Sequence, residues 1–193
     1  MTMKTLIGIL GPSTGGKSSL CLGLNKYDKR FGTVSFAEYL KEESTRRGWN
    51  GVKDEAGRMF LQATAESLKK EHGESVFFDV GVMKALQSPY DIVLFDDTRH
   101  FIEILPLHSN NHESFASGVV TLNEAGAEDK WITAAIGREG FNDWARHRSE
   151  TEWRVLRQLF PTFVNDKSLG LEIGVNRFLD FITTTANNLI EAK

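Results

Sequence analysis

An apolar run, Leu6-Ile7-Gly8-Ile9-Leu10, leads directly into Gly11-x-x-x-x-Gly16-Lys17-Ser18 and then into a helix-forming stretch. Few patterns constrain a fold so tightly. The glycines let successive backbone N–H groups wrap an anion, and the start of the following helix adds partial positive charge. The loop needs a strand before it and a helix after it, and both are written in the flanking residues. This is the P-loop, or Walker A, pattern. It makes Gly11, Pro12, Ser13, Thr14, Gly15, Gly16, Lys17, Ser18 and Ser19 the candidate polyphosphate cradle. Lys17 is expected to reach the outer phosphates and Ser18 to hold Mg²⁺ through its hydroxyl.

The 193 residues are 40% hydrophobic and 25% charged, which suits one α/β domain spanning 1–193. The net charge of −3 argues against wholesale binding of duplex DNA. A lone cysteine, Cys21, cannot form an internal disulfide and falls in an apolar helix pattern, where it reads as a small packing residue. No stretch approaches the roughly 18 apolar residues of a membrane span. Met1 to Thr5 run into the first strand, so they are expected to belong to the fold and not to a signal peptide. A reducing, cytoplasmic setting follows as an expectation.

Strands are predicted at 5–10, 33–36, 90–95, 118–122 and 162–164, and helices from the P-loop to about Asn25 and over 37–47, 54–71, 76–87 and 168–190. Asp54 and Ser168 are the expected caps of two of these helices. Tyr90 to Phe95 is apolar at almost every position, as a strand buried on both faces requires. Strands alternating with helices imply a three-layer α/β sandwich around a parallel sheet. In such sheets the site lies beyond the carboxyl ends of the strands.

The third strand ends at Asp96-Asp97-Thr98-Arg99. An apolar strand followed by aspartate is the Walker B pattern, whose carboxylate helps hold Mg²⁺. Successive strand residues face opposite ways, so either Asp96 or Asp97 could serve the metal. Phosphoryl transfer also needs cations around the moving group. Arg58, Arg99, Arg138, Arg146 and Arg148 are the candidates, and Arg58 shares a helix face with Gln62. The dense cluster Arg146-His147-Arg148-Ser149-Glu150 lies where a kinase would keep a lid. His108 and His112 are spaced to share a helical face, but no third ligand accompanies them, and Leu105 to Ser117 reads as polar loop.

Several further segments fall in a recognisable order: Phe36-Ala37-x-x-x-Lys41, Gly57-Arg58-x-x-Leu61-Gln62, Asp97-x-Arg99-x-x-x-Glu103, His147-x-Ser149-Glu150 and Val164-Asn165-Asp166. With the P-loop in front, the chain resembles the P-loop deoxynucleoside monophosphate kinases of bacteriophages and their bacterial relatives. The resemblance implies a three-layer P-loop kinase fold with a five-stranded parallel sheet and a small helical lid, here about 126–150. It implies transfer of the ATP γ-phosphate to a deoxynucleoside monophosphate, in the host cytoplasm if a phage encodes the chain. It implies that Phe36, Ala37, Lys41, Arg58, Gln62, Asp97 and Arg99 surround the acceptor. Lys17, Asp97, Arg99, Arg58 and Arg148 would carry the catalysis, and Ser18 with Asp96 the metal. Homodimerisation stays open.

The chain departs from that family in places. Leu122 is followed by Asn123-Glu124-Ala125-Gly126, without the family's arginine loop, and Arg99 is followed by His100. These departures touch the acceptor side. They motivate a second reading, a kinase of the same fold acting on the hydroxyl of a modified base such as hydroxymethyluracil in phage DNA. Trp49, Trp131, Trp144 and Trp153 could then offer stacking surfaces. A third reading, a nucleotide-binding regulatory protein, needs only the P-loop.

Overall fold

The computed structural model describes residues 3–12, 15–109, 112–125 and 159–193. Its elements in chain order are β1 (Lys4–Leu10), α1 (Lys17–Tyr27), β2 (Phe31–Val34), α2 (Ala37–Arg46), α3 (Glu55–His72), α4 (Val76–Gln87), β3 (Ile92–Phe95), α5 (Phe101–Ser109), β4 (Phe115–Glu124), β5 (Thr162–Asn165), a 3-10 turn at Lys167–Leu169, and α6 (Leu171–Glu191). The five strands form one sheet in the order β2-β3-β1-β4-β5, and every pairing is parallel. β1 is central, with Leu6 beside Val93 of β3 and Ser117 of β4.

Side-chain alternation along the strands builds two cores. Ile7 and Ile9 of β1 and Ile92 and Leu94 of β3 pack with Leu24 of α1 and Phe178 and Ile182 of α6. Leu6 and Leu10, with Val93 and Phe95, pack on the other face with Phe78 of α4 and Ile104 and Leu107 of α5. All four residues of β3 are buried, as expected for a strand covered on both sides. The three-layer arrangement read from the sequence is the observed one.

Several boundaries differ from the sequence reading. β2 begins at Phe31, two residues early, and Phe36 lies at the start of α2. The strand signal at Gly32 is hidden because a Cβ there would sit 2.0 Å from the Tyr90 ring. Residues 101–109 form α5 despite Pro106 inside it, and β4 starts at Phe115, so most of Leu105–Ser117 belongs to regular elements. Asp54 caps α3 as expected, accepting from the Gly57 N–H at 2.8 Å. Ser168 does not cap the last helix; Asp166 accepts from Ser168 N at 3.0 Å to start the 3-10 turn, and α6 begins after Gly170.

Candidate active site

The phosphate-loop motif lies where β1 gives way to α1, at the carboxyl end of the sheet. Gly11 and Gly16 have φ of +143° and +86°, conformations that L side chains avoid. Space makes the same demand: a Cβ at Gly11 would lie 2.5 Å from the Leu122 carbonyl oxygen, and one at Gly16 would lie 2.9 Å from Asn165 Nδ2. The loop is thus seated against the ends of β4 and β5. The N-cap of α1 is Gly16, which has no side chain to cap it, and the first turn of the helix holds no acidic residue. Its first N–H groups therefore keep their affinity for an anion.

Lys17 is buried, and its ammonium donates to the carbonyls of Gly11 and Pro12 at 2.6 and 2.8 Å. These bonds curl the side chain back over the loop. Ser18 and Ser19 are exposed on the first turn of α1. Ser13 and Thr14 lie outside the described residues.

The paired aspartates divide between two neighbours. Asp96 Oδ2 accepts from Ser18 Oγ at 2.5 Å, which joins the end of β3 to the first turn of α1. Asp97 turns the other way, toward β2. It accepts from Ser35 Oγ at 2.6 Å and from the N–H groups of Phe36 and Ala37 at 2.9 Å each. The sheet order accounts for the division: β3 lies between β1 and β2, so the turn after it has the start of α1 on one side and the loop after β2 on the other. Burial raises the Asp96 pKa above the ordinary carboxylate value, the nearby Asp97 charge adds to this, and the Ser18 bond and Lys17 oppose it. Ser18 Oγ and Asp96 Oδ2 are both hard oxygen donors, a set that fits Mg²⁺ completed by phosphate and water.

Glu103 was read from the sequence only as part of a motif; the structure gives it a definite contact. Its carboxylate accepts from Arg99 N at 2.7 Å and His100 N at 3.0 Å, which ties down the backbone that carries Arg99. It is buried, and desolvation pushes its pKa up to about 7 against the pull of those two N–H groups. The signal for it was the four-residue step from Arg99 to a glutamate in the first turn of a helix, a capping arrangement.

The other expected site residues are spread over the neighbouring elements. The Phe36 ring is buried and stacks on Phe95 at 4.3 Å between centroids, so it lies in the core. Ala37 opens α2, and Lys41 is exposed one turn on. Arg58 and Gln62 are both exposed on α3. Arg138, Arg146, Arg148 and the lid at 126–150 lie outside the described residues, as do Trp131, Trp144 and Trp153. Trp49 is buried and donates to the Val52 carbonyl at 3.1 Å, a packing role. Cys21 is also buried, and desolvation raises its thiol pKa well above the ordinary value. His108 and His112 do not share a helix face, because α5 ends at Ser109. His108 meets the Phe160 ring edge-on, whereas His112 stacks on Phe115. Among the described residues no helix is long and apolar enough to cross a membrane.

A parallel five-stranded sheet with a glycine loop after its central strand and a paired Ser–Asp beside it defines the P-loop kinase fold. No family model and no curated protein matches the chain in sequence. Solved structures do match. A provisionally named kinase from Chloroflexus aurantiacus superposes with a TM-score of 0.50 at 15% identity, over 98% of this chain and 99% of the other. A gluconokinase from Sinorhizobium meliloti gives a TM-score of 0.44 at 15% identity, over 100% and 98% of the two chains. A thymidylate kinase from Candida albicans gives 0.43 at 13% identity, over 96% and 93%. The first of these likenesses supports the fold and stops there.

Proposed function

We propose that the protein is an ATP-dependent phosphotransferase that moves the γ-phosphate to a deoxynucleoside monophosphate. The observation that carries this reading is the split of the Asp96-Asp97 pair. One carboxylate serves the phosphate loop, and its neighbour fixes the loop after β2 alongside it. A protein that only bound or hydrolysed a nucleotide would need the first arrangement alone. A transferase needs two loops held side by side, so that donor and acceptor meet in line.

In this reading the backbone around Gly16 and the Lys17 ammonium bind the donor's β- and γ-phosphates. Ser18 and Asp96 hold Mg²⁺, which neutralises phosphate charge when bound. Ser35, Ala37, Lys41, Arg58, Gln62 and Arg99 lie on the acceptor side, and Arg148 is the further cation expected to meet the transferred phosphate. No covalent intermediate on the protein is required, because orientation and charge stabilisation carry this class of reaction. The deoxynucleotide acceptor rests on the ordered motif segments from Phe36 to Glu103.

The test is a coupled assay of ADP release with ATP and Mg²⁺ against each deoxynucleoside monophosphate, with hydroxymethyluracil-containing DNA in parallel. Turnover with a free monophosphate is the expected result. Turnover with the modified DNA alone would move the acceptor from nucleotide to polymer. Tight ATP binding with no transfer to any acceptor would leave a regulatory nucleotide-binding protein.

A further inference from the structure

Asn165 is the last residue of β5, 150 positions from the phosphate loop, yet its side chain donates to the Gly15 carbonyl at 3.2 Å. β5 alternates in exposure, with Phe163 and Asn165 buried and Thr162 and Val164 facing out. Asn165 thus occupies a core-facing strand position where an apolar side chain would be ordinary. A polar group buried there is costly unless it is paired, and Gly15 supplies a partner. The strand holds the amide firmly. Asn165 lies beside Glu124 in the β4 ladder, and its own carbonyl accepts from Ala125 N at 3.1 Å.

A trans peptide points its N–H opposite to its C=O. Drawing the Gly15 carbonyl toward β5 therefore turns the Gly16 N–H away from it. Both flanking residues are glycine, so a flip of this peptide meets little steric resistance from the chain itself. Some external contact must choose its orientation. Asn165 Nδ2 makes that contact, and it lies 2.9 Å from where a Gly16 Cβ would be.

We propose that Asn165 is a positioning residue of the donor site, which locks the Gly15–Gly16 peptide so that the Gly16 N–H faces the bound phosphates. The inference rests on the donor-site reading above. It assigns to β5 a part in phosphate binding that the phosphate-loop motif does not contain.

The test compares Asn165→Ala and Asn165→Asp with the unaltered chain. Alanine removes the donor. Aspartate keeps the shape but sets an acceptor against the Gly15 carbonyl, which favours the flipped peptide. Calorimetric ADP affinity should fall about fivefold for alanine and tenfold or more for aspartate. The KM for ATP should rise in step, while that of the acceptor stays unchanged, a split that general loosening of the fold would not produce. In nucleotide-free protein labelled with ¹⁵N, the Gly16 amide resonance should move in both variants. If Asn165→Asp does not fold, Asn165→Ala and Asn165→Ser carry the same comparison. Wild-type affinity for ADP together with an unmoved Gly16 amide would overturn the proposal. If the unaltered chain bound neither ADP nor ATP, the donor-site reading would fail, and the Gly16 resonance in the free protein would decide the role of Asn165 alone.

Discussion

Ser18 and Asp96 stand 78 residues apart in sequence and 2.5 Å apart in space, joined by a hydrogen bond from hydroxyl to carboxylate. The bond makes a ready pair of oxygen ligands at the mouth of the phosphate loop. Ser18→Ala and Asp96→Asn should each lower kcat and raise the Mg²⁺ concentration needed for half-maximal rate about tenfold. Thermal unfolding of Ser18→Ala should shift little, since Ser18 is exposed. A Mg²⁺ titration of the rate for each variant checks this, and unchanged metal demand in both would remove the pair from the metal site.

Lys17 and Arg58 should separate donor from acceptor. Lys17→Ala is expected to cut turnover at least about 100-fold, as loss of a charge-stabilising donor does. Alanine also leaves the Gly11 and Pro12 carbonyls without that donor, so some loss of stability should accompany the loss of turnover. Arg58 is exposed on α3. Arg58→Ala should raise the acceptor KM about tenfold and the ATP KM about twofold or less. Steady-state kinetics with each substrate varied in turn reads both effects.

Asp97 is expected to matter to the fold as much as to the chemistry. Its carboxylate satisfies Ser35 Oγ and the first N–H groups of α2, Phe36 and Ala37. Asp97→Ala leaves these donors without their acceptor and should cost about 2–4 kcal/mol of stability. Denaturant unfolding measures this directly. A loss of activity with full stability retained would mean that the carboxylate acts on substrate instead.

Glu103 gives the fold a pH dependence. Its carboxyl titrates at about 7 in the folded protein against an ordinary value of 4.5. Between these values the folded state binds the extra proton, so stability falls as pH rises through that window and levels off above it. Glu103→Gln keeps an acceptor for Arg99 N and His100 N and removes the titration. The variant should lack this downward slope and be about 1–3 kcal/mol less sensitive between pH 4.5 and 8. Denaturant midpoints across that range give the comparison.

The parts of this fold that were legible in the sequence are those whose signal is local. Four buried apolar residues in a row announced β3, and the glycine spacing announced the phosphate loop. Asp54 announced the start of α3. Signals that depend on distant neighbours were missed. Pro106 and the polar residues after it concealed α5, although Ile104 and Leu107 bury that helix in the core. Phe36 was read as lining a substrate pocket, and only the packing against Phe95 shows its ring in the core. The roles of Asp96 and Asp97 could not be separated from sequence, because they depend on which strands flank β3. Asn165 carried only a motif match; its contact with Gly15 crosses 150 residues and has no local signature.

The central place of β1 also bears on how the chain comes to be folded. Its partners are β3 and β4, and Thr5 pairs with Ile92 and Ala116. A ribosome adding roughly 5–20 residues per second makes β1 wait several seconds for its first neighbour. During that interval an apolar strand and its glycine loop have no sheet to join. The nucleotide site therefore cannot take its shape before β3 has emerged, and a nascent chain stalled before Ile92 should be unable to retain nucleotide.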